Sequence, residues 1–186
     1  MLNKLIYLLL LPVVACNNPT PDVRQLMLPA TQFTVTQAPT DTLATFIRNT
    51  FPGCRICTQA DYDNSFWSFY DTTYAMPWYA AVDINDDQRT DMAMLIKEQQ
   101  TLKLLLLMGT DTGYNWQWVE DFSIPLHNNQ KVTYGLHPEP PGQIDIAYPT
   151  ITSLILPSNG INLYYFENRH ALYYWNGNRI AVFKTS

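Results

Sequence analysis

The sequence predicts a mainly β chain: an antiparallel meander of about seven or more strands with one helix near its N-terminus, an α+β arrangement being the alternative. Three observations carry this. From residue 80 onward, short apolar or alternating runs are separated by turn residues, as in Leu102 to Met108, Gly160 to Phe166 and Ala171 to Trp175. Twelve Tyr, eight Phe and five Trp make the chain rich in residues that favour strands. Asn176-Gly177, set between two apolar runs, is the strongest hairpin signal in the chain. Seven Gly against thirteen Pro add short connections stiffened by Pro. The 186 residues suffice for one domain with a proper core. Nearly half are apolar (47%) and 15% are charged, which excludes a disordered chain and a polytopic membrane protein. A net charge of −5 speaks against binding a nucleic-acid backbone, which needs clustered Lys and Arg.

Met1 to Ala15 reads as an export signal. Lys4 gives the positive start and Leu5 to Val14 an apolar stretch too short to span a bilayer. Val13-Val14-Ala15-Cys16 resembles a bacterial lipobox, although Val13 stands where that motif prefers Leu. The resemblance implies that Cys16 is lipidated, becomes the first mature residue and anchors the protein without a transmembrane helix. Asn17 follows, and the absence of Asp there implies sorting to the outer membrane. Residues 16–40 then form a polar tether, with Pro19, Pro21, Pro29 and Pro39 along it. Residues 41–186 form a single β-rich domain.

That domain opens on a helix from Asp41 to Phe51. Thr40 or Asp41 can cap it, Leu43, Phe46, Ile47 and Phe51 share one face, and Pro52-Gly53 ends it. Cys54 and Cys57 follow. With Cys16 taken by lipid, they are the two remaining Cys, and in an oxidising periplasm they are expected to form a disulfide that staples the turn. Their Cys-x-x-Cys spacing also allows a thiol oxidoreductase, but the pair comes after a helix, not at a helix N-terminus where a thiolate is stabilised. From Asp61 to Tyr79 the chain carries Tyr62, Phe66, Trp67, Phe69, Tyr70, Tyr74, Trp78 and Tyr79. A stacking platform for sugar rings is one reading; packing in the core is the favoured one, because aromatic residues bury large areas.

A strand from Ala80 to Ile84 runs into Asp83-Ile84-Asn85-Asp86-Asp87-Gln88-Arg89-Thr90-Asp91, and a strand from Met92 to Lys97 leaves it. Side-chain oxygens recur at positions 1, 3, 5 and 9 of this loop, a spacing that wraps oxygen ligands around a hard cation such as Ca2+. Four Asp within nine residues repel one another unless a cation is present, and Arg89 offsets only one charge. An EF-hand is excluded by the strand-like flanks and by Met94 at the twelfth position. The pattern resembles the calcium loops of FG-GAP and VCBS repeats, Asp-x-Asn-x-Asp-Gly-x-x-Asp followed by an apolar strand. That resemblance implies Ca2+ held by Asp83, Asn85, Asp87, the backbone carbonyl of Arg89, and Asp91. Gln88 departs from the family, which has Gly there. The wider layout is similar to small single-copy FG-GAP/VCBS-like bacterial envelope lipoproteins of unknown function, through Leu102 to Met108, Tyr134-Gly135, Pro141-Gly142 and Tyr173-Tyr174-Trp175-Asn176-Gly177 in that order.

Met92–Ile96 and Leu102–Met108 are expected to form a hairpin, the second strand being buried on both faces. Tyr114, Trp116 and Trp118 alternate with Asn115 and Gln117 in a further strand. His127 to Gln130 reads as a loop, Pro138 to Gly142 as a turn and Gln143 to Ala147 as a short extended piece. Leu154–Leu156, Gly160–Phe166, Ala171–Trp175 and Arg179–Lys184 are the last four strands. His127, His137 and His170 are isolated, and the sequence has no nucleophile elbow, phosphate-cradling Gly loop or zinc motif. Glu120, Asp121, Glu139, Asp145 and Glu167 are scattered. The expectation is a non-enzymatic, lipid-anchored protein with a calcium-stabilised β domain on the periplasmic face of the outer membrane, which binds an envelope protein or glycan. The alternatives are an inhibitor or immunity protein against a toxin or wall-degrading hydrolase, and an uncharacterised hydrolase or thiol oxidoreductase.

Overall fold

The computed structural model describes residues 41–70, 76–127, 130–146 and 152–184. The export signal, Cys16 and the tether to residue 40 lie outside these, as do Tyr74 and Ala147. The mainly β class and the N-terminal helix are both present, with eleven strands among the described residues. No helix among them is long and apolar enough to cross a membrane.

Helix α1 (Asp41–Thr50) forms where its apolar spacing places it. Leu43 and Ile47, four residues apart, are buried on one face, with Phe46 beside them. Gly53 takes a φ of +84°, a left-handed conformation that reverses the chain after Pro52. The chain then enters β1 (Cys54–Ile56). A short α2 (Asn64–Trp67) follows, capped by Asp63, whose carboxylate accepts from the N–H of Ser65 at 2.8 Å and of Phe66 at 3.1 Å.

The first sheet is centred on β3 (Asp91–Glu98) and β4 (Thr101–Thr110), with β5 (Gly113–Pro125) at its outer side. Strands β1 and β2 (Tyr79–Val82) lie end to end along the other side of β3, in registers running from Cys54↔Glu98 to Val82↔Asp91. The second sheet has the order β11 (Ile180–Lys184), β10 (Asn168–Trp175), β9 (Gly160–Tyr165), β6 (Tyr134–Glu139). A separate antiparallel pair joins β7 (Gly142–Ile146) and β8 (Thr152–Leu156). All pairings are antiparallel, and β2 to β5 and β9 to β11 are both meanders.

The two sheets meet through one core. Leu102, Leu104 and Leu106 of β4, Ala93 and Leu95 of β3, and Phe122 face Leu136, Ile161, Leu163, Ala171 and Tyr173 of the second sheet. Tyr62, Phe66 and Tyr70 close this core, so the aromatic segment does pack inward, though Phe69 is half exposed. On the far side of the first sheet, Leu105, Leu107, Met94 and Ile96 pack under α1. Strand β4 is therefore apolar on both faces because both are covered, and each such Leu contributes about 1.5–3 kcal/mol by leaving water. On the far side of the second sheet, Leu172 packs against Ile144 and Leu156 of the β7–β8 pair.

Three expectations are corrected. Cys54 and Cys57 do not form a disulfide; both are free and buried. The segment is a strand, so alternate side chains face opposite ways: Cys54 packs under α1 and Cys57 in the core between the sheets. Residues three apart in extended chain are separated by about 10 Å between Cα atoms, beyond disulfide reach. Pro138 is inside β6 instead of starting a turn, paired with Ile161. An edge strand tolerates it, since one side of its backbone needs no ladder bond. Strand β5 runs on past Trp118 to Pro125, with a register shift between its partners Lys103 and Leu105.

The acidic loop and the contacts that hold it

Between β2 and β3 the chain runs through Asp83 to Thr90, and its geometry follows from hydrogen bonds to the carboxylates within it. Asp83 accepts from the N–H of Asp87 (3.1 Å) and of Gln88 (2.7 Å), one on each oxygen. Asp87 accepts from the N–H of Arg89 (2.9 Å) and from the Asn85 amide (3.0 Å), and the Arg89 guanidinium lies 3.3 Å away. The Arg89 N–H, then the Asn85 amide and the Arg89 charge, hold the Asp87 carboxyl below its usual range. Arg89 also pairs with Asp111 in the turn between β4 and β5. Two residues adopt left-handed backbone, Asp86 at φ +60° and Gln88 at φ +67°. The turn that the family resemblance assigns to Gly is thus made at the matching position, by a residue that bears the steric cost of a side chain.

Asp91 does something different. It is 1% exposed, and its oxygens accept from the N–H of Ile84 (2.9 Å) and of Gly109 (2.7 Å). It ties the start of the loop to the end of β4. Burial, with the charges of Asp87 and Asp83 added, pushes its carboxyl above the ordinary range in spite of these two bonds. Ile84 is itself buried and plugs the inter-sheet core.

Three residues that sequence reasoning missed hold the loop from outside it. Ser158 donates to the Ile84 carbonyl at 2.6 Å and Asn159 to the Asp83 carbonyl at 3.1 Å, both from the turn between β8 and β9. Gly109 comes so close that a Cβ there would sit 2.8 Å from the Thr90 carbonyl oxygen. Pro157-Ser158-Asn159-Gly160 has the composition of a turn, but nothing in that composition says where the turn docks.

The donor set suits a hard cation: carboxylates, an amide oxygen and a backbone carbonyl are the oxygen ligands Ca2+ takes. The Asn85 Oδ1 is buried and has no hydrogen-bond partner, alone among the buried side-chain oxygens of the loop. A carboxylate has about four acceptor positions, so Asp83 and Asp87 keep capacity beyond the bonds they make. Among the described residues, however, no three His, Cys, Asp or Glu side chains are gathered closely enough to hold a metal ion, and Asp91 is turned towards Ile84 and Gly109.

The other candidate groups are dispersed. Burial, with Asp61 adding to it, drives the Cys57 thiol far above its usual value; burial and Glu98 raise Cys54. Both thiols stay protonated at neutral pH, which is the reverse of an activated redox Cys. His137 packs edge-on against Tyr70 and Tyr164, and His170 against Tyr134. Glu139 is held by Asn162 and Arg169, Asp145 by Gln143 and Ser153, and Asp121 by Lys184. No family model, curated protein or solved structure matches this chain.

Proposed function

We propose that this chain is a lipid-anchored protein of the bacterial cell envelope, placed on the periplasmic face of the outer membrane, whose β domain is stabilised by Ca2+ and binds an envelope protein or glycan rather than catalysing a reaction. It is read as a small FG-GAP/VCBS-like protein carrying one copy of the calcium loop. The observation that carries the calcium reading is the pairing of the left-handed Gln88 with the unsatisfied, buried Asn85 Oδ1. The first gives the turn such a loop requires, and the second is an oxygen at a ligand position that lacks a donor. Asp83, Asn85, Asp87 and the Arg89 carbonyl would hold the ion, with Asp91 behind them. A bound Ca2+ would supply positive charge that offsets the clustered carboxylates; its role would be structural. Protonated thiols, and the dispersal of the carboxylates outside the loop, favour binding over catalysis.

Equilibrium dialysis against radioactive calcium tests the assignment. One ion bound per chain, lost in Asp87→Ala, is the expected result. Calcium uptake that is absent, or that survives Asp87→Ala unchanged, removes the loop as the site.

A further inference from the structure

Strand β5 ends the first sheet with no strand on its far side among the described residues. It spans thirteen residues, a long edge. Its first part, Gly113 to Val119, carries no charged residue and no Pro. Natural edges are normally guarded by Lys, Pro or short length, because their unpaired N–H and C=O groups recruit other strands. This one instead exposes Trp116 by 49% and Tyr114 by 38%. In an antiparallel ladder, alternate residues turn their backbone groups away from the partner. Counted from the two-residue turn Asp111-Thr112, those are Tyr114, Trp116 and Trp118.

Beside this edge is a cavity of about 180 Å³, set between β5 and the β10–β11 hairpin. It lies where β5 shifts register against β4, and its lining includes Leu106, Val119, Glu120, Asp121, Tyr173 and Val182. Asp121 is paired with Lys184 across the cleft at 3.0 Å, whereas Glu120 has no ion pair among the described residues. Burial, with Asp121 adding to it, pushes the Tyr173 hydroxyl up to about 12, so it remains neutral there and able to donate. The cavity thus offers an uncompensated carboxylate at one end of an open, uncharged, aromatic edge.

We infer that the open edge of β5 docks an extended basic strand of a partner protein, which pairs along Tyr114 to Trp118 and sends a Lys or Arg side chain into the cavity beside Glu120. Strand addition supplies main-chain bonds for affinity and alternate side-chain pockets for specificity. A second copy of this chain is the poorer occupant. Strand β5 contains no Lys, Arg or His to enter the cavity. Antiparallel pairing of two copies would also set Asp111, before one β5, near Glu120 and Asp121 of the other, placing acid against acid. The inference rests on the partner-binding reading above and deepens it, but it does not depend on calcium.

The test uses the full-length protein in detergent micelles with EDTA present, and a synthetic peptide of six alternating Lys-Val units followed by Trp fluorescence. An alternating Glu-Val peptide and a Lys-Val peptide N-methylated at alternate residues serve as controls. The Lys-Val peptide is expected to bind, with the Glu-Val peptide and the Glu120→Lys protein each at least about fivefold weaker. The N-methylated peptide, unable to donate along one edge, should not bind measurably. Amide exchange should show Tyr114, Trp116 and Trp118 unprotected alone and protected with peptide. Equal binding of all three peptides, or indifference to Glu120→Lys, overturns the proposal while leaving a binding protein whose site lies elsewhere. Protection of those amides before any peptide is added overturns it too: with a monomer in sedimentation the chain covers its own edge, and with a dimer a second copy does.

Discussion

Gln88 holds a backbone conformation that favours Gly, and it does so because two loop N–H groups, its own and that of Asp87, must both reach the Asp83 carboxylate. Gln88→Gly therefore removes a steric cost while keeping the hydrogen bonds. It is expected to stabilise the protein by about 1 kcal/mol in urea denaturation. A loss of stability would mean that the Gln88 side chain contributes something its contacts do not show. Gly109 is the converse case. A methyl group there meets the Thr90 carbonyl oxygen, part of the backbone of the loop, at 2.8 Å. Gly109→Ala should cost about 1–3 kcal/mol by the same measurement, and should weaken calcium uptake by displacing Arg89 and Thr90. At this scale the sequence was legible in residue types alone. The spacing of Asp83, Asn85, Asp87 and Asp91 marked the loop, but Asp91 is not placed like the other three. Its carboxylate is turned inward by Gly109, eighteen residues away, and no local pattern encodes that contact.

At the scale of elements, β1 shows most clearly what periodicity leaves out. Three residues are too few to display alternation, so β1 and the Cys57 after it read as a turn with a thiol at each end. What makes it a strand is pairing with Ile96 to Glu98, and an ion cluster around the buried Asp61 fixes its end. Asp61 is 7% exposed and is held by Arg55 through two bonds of 2.6 and 2.7 Å, by the Thr58 N–H at 2.8 Å and by Lys97 at 3.1 Å. Burial alone would raise its carboxyl, but Arg55, then Thr58 and Lys97, outweigh it and hold the group well below the usual range. A lowered folded value means that the ionised form is favoured in the fold. Its contribution is present in full above the unfolded value near pH 4 and is lost as pH falls towards the folded one. Asp61→Asn should cost about 1–3 kcal/mol at pH 7, Arg55 being half exposed. It should also flatten the acid side of the stability profile below roughly pH 4. An acid profile identical to that of the unaltered protein would contradict this assignment. The longer elements were easier to read. Strands β4, β9 and β10 and helix α1 each declare a buried face over enough residues for the pattern to show, and Asn176-Gly177 marked the hairpin between β10 and β11.

At the largest scale, the described residues from Asp41 on form a stack: α1, the first sheet, the second sheet, and the β7–β8 pair, with an apolar cluster at each junction. The mainly β class was readable because strands of both sheets carry their own apolar signal. The division into two sheets was not, since it depends on β6 leaving the meander to pair with β9, and Pro138 masks β6 as a strand. In this stack the acidic loop joins β2 to β3, is fastened to β4 by Asp91, and is fastened to the turn between β8 and β9 by Ser158 and Asn159. It thus bridges the first sheet to the turn that leads into the second. An ion that orders the loop would strengthen that junction, and so the cooperative unfolding of the domain should report it. The direct measurement is a thermal melt of the full-length protein in EDTA and then in excess Ca2+. Binding to the folded state alone stabilises by about 2.7 kcal/mol at a hundred times Kd, a rise of roughly 5–10 °C in Tm for a domain of this size, and Asp83→Ala or Asp87→Ala should abolish the difference. A Tm that is the same in EDTA and in excess Ca2+ would contradict the calcium-stabilised reading and leave the loop a turn held by its own hydrogen bonds.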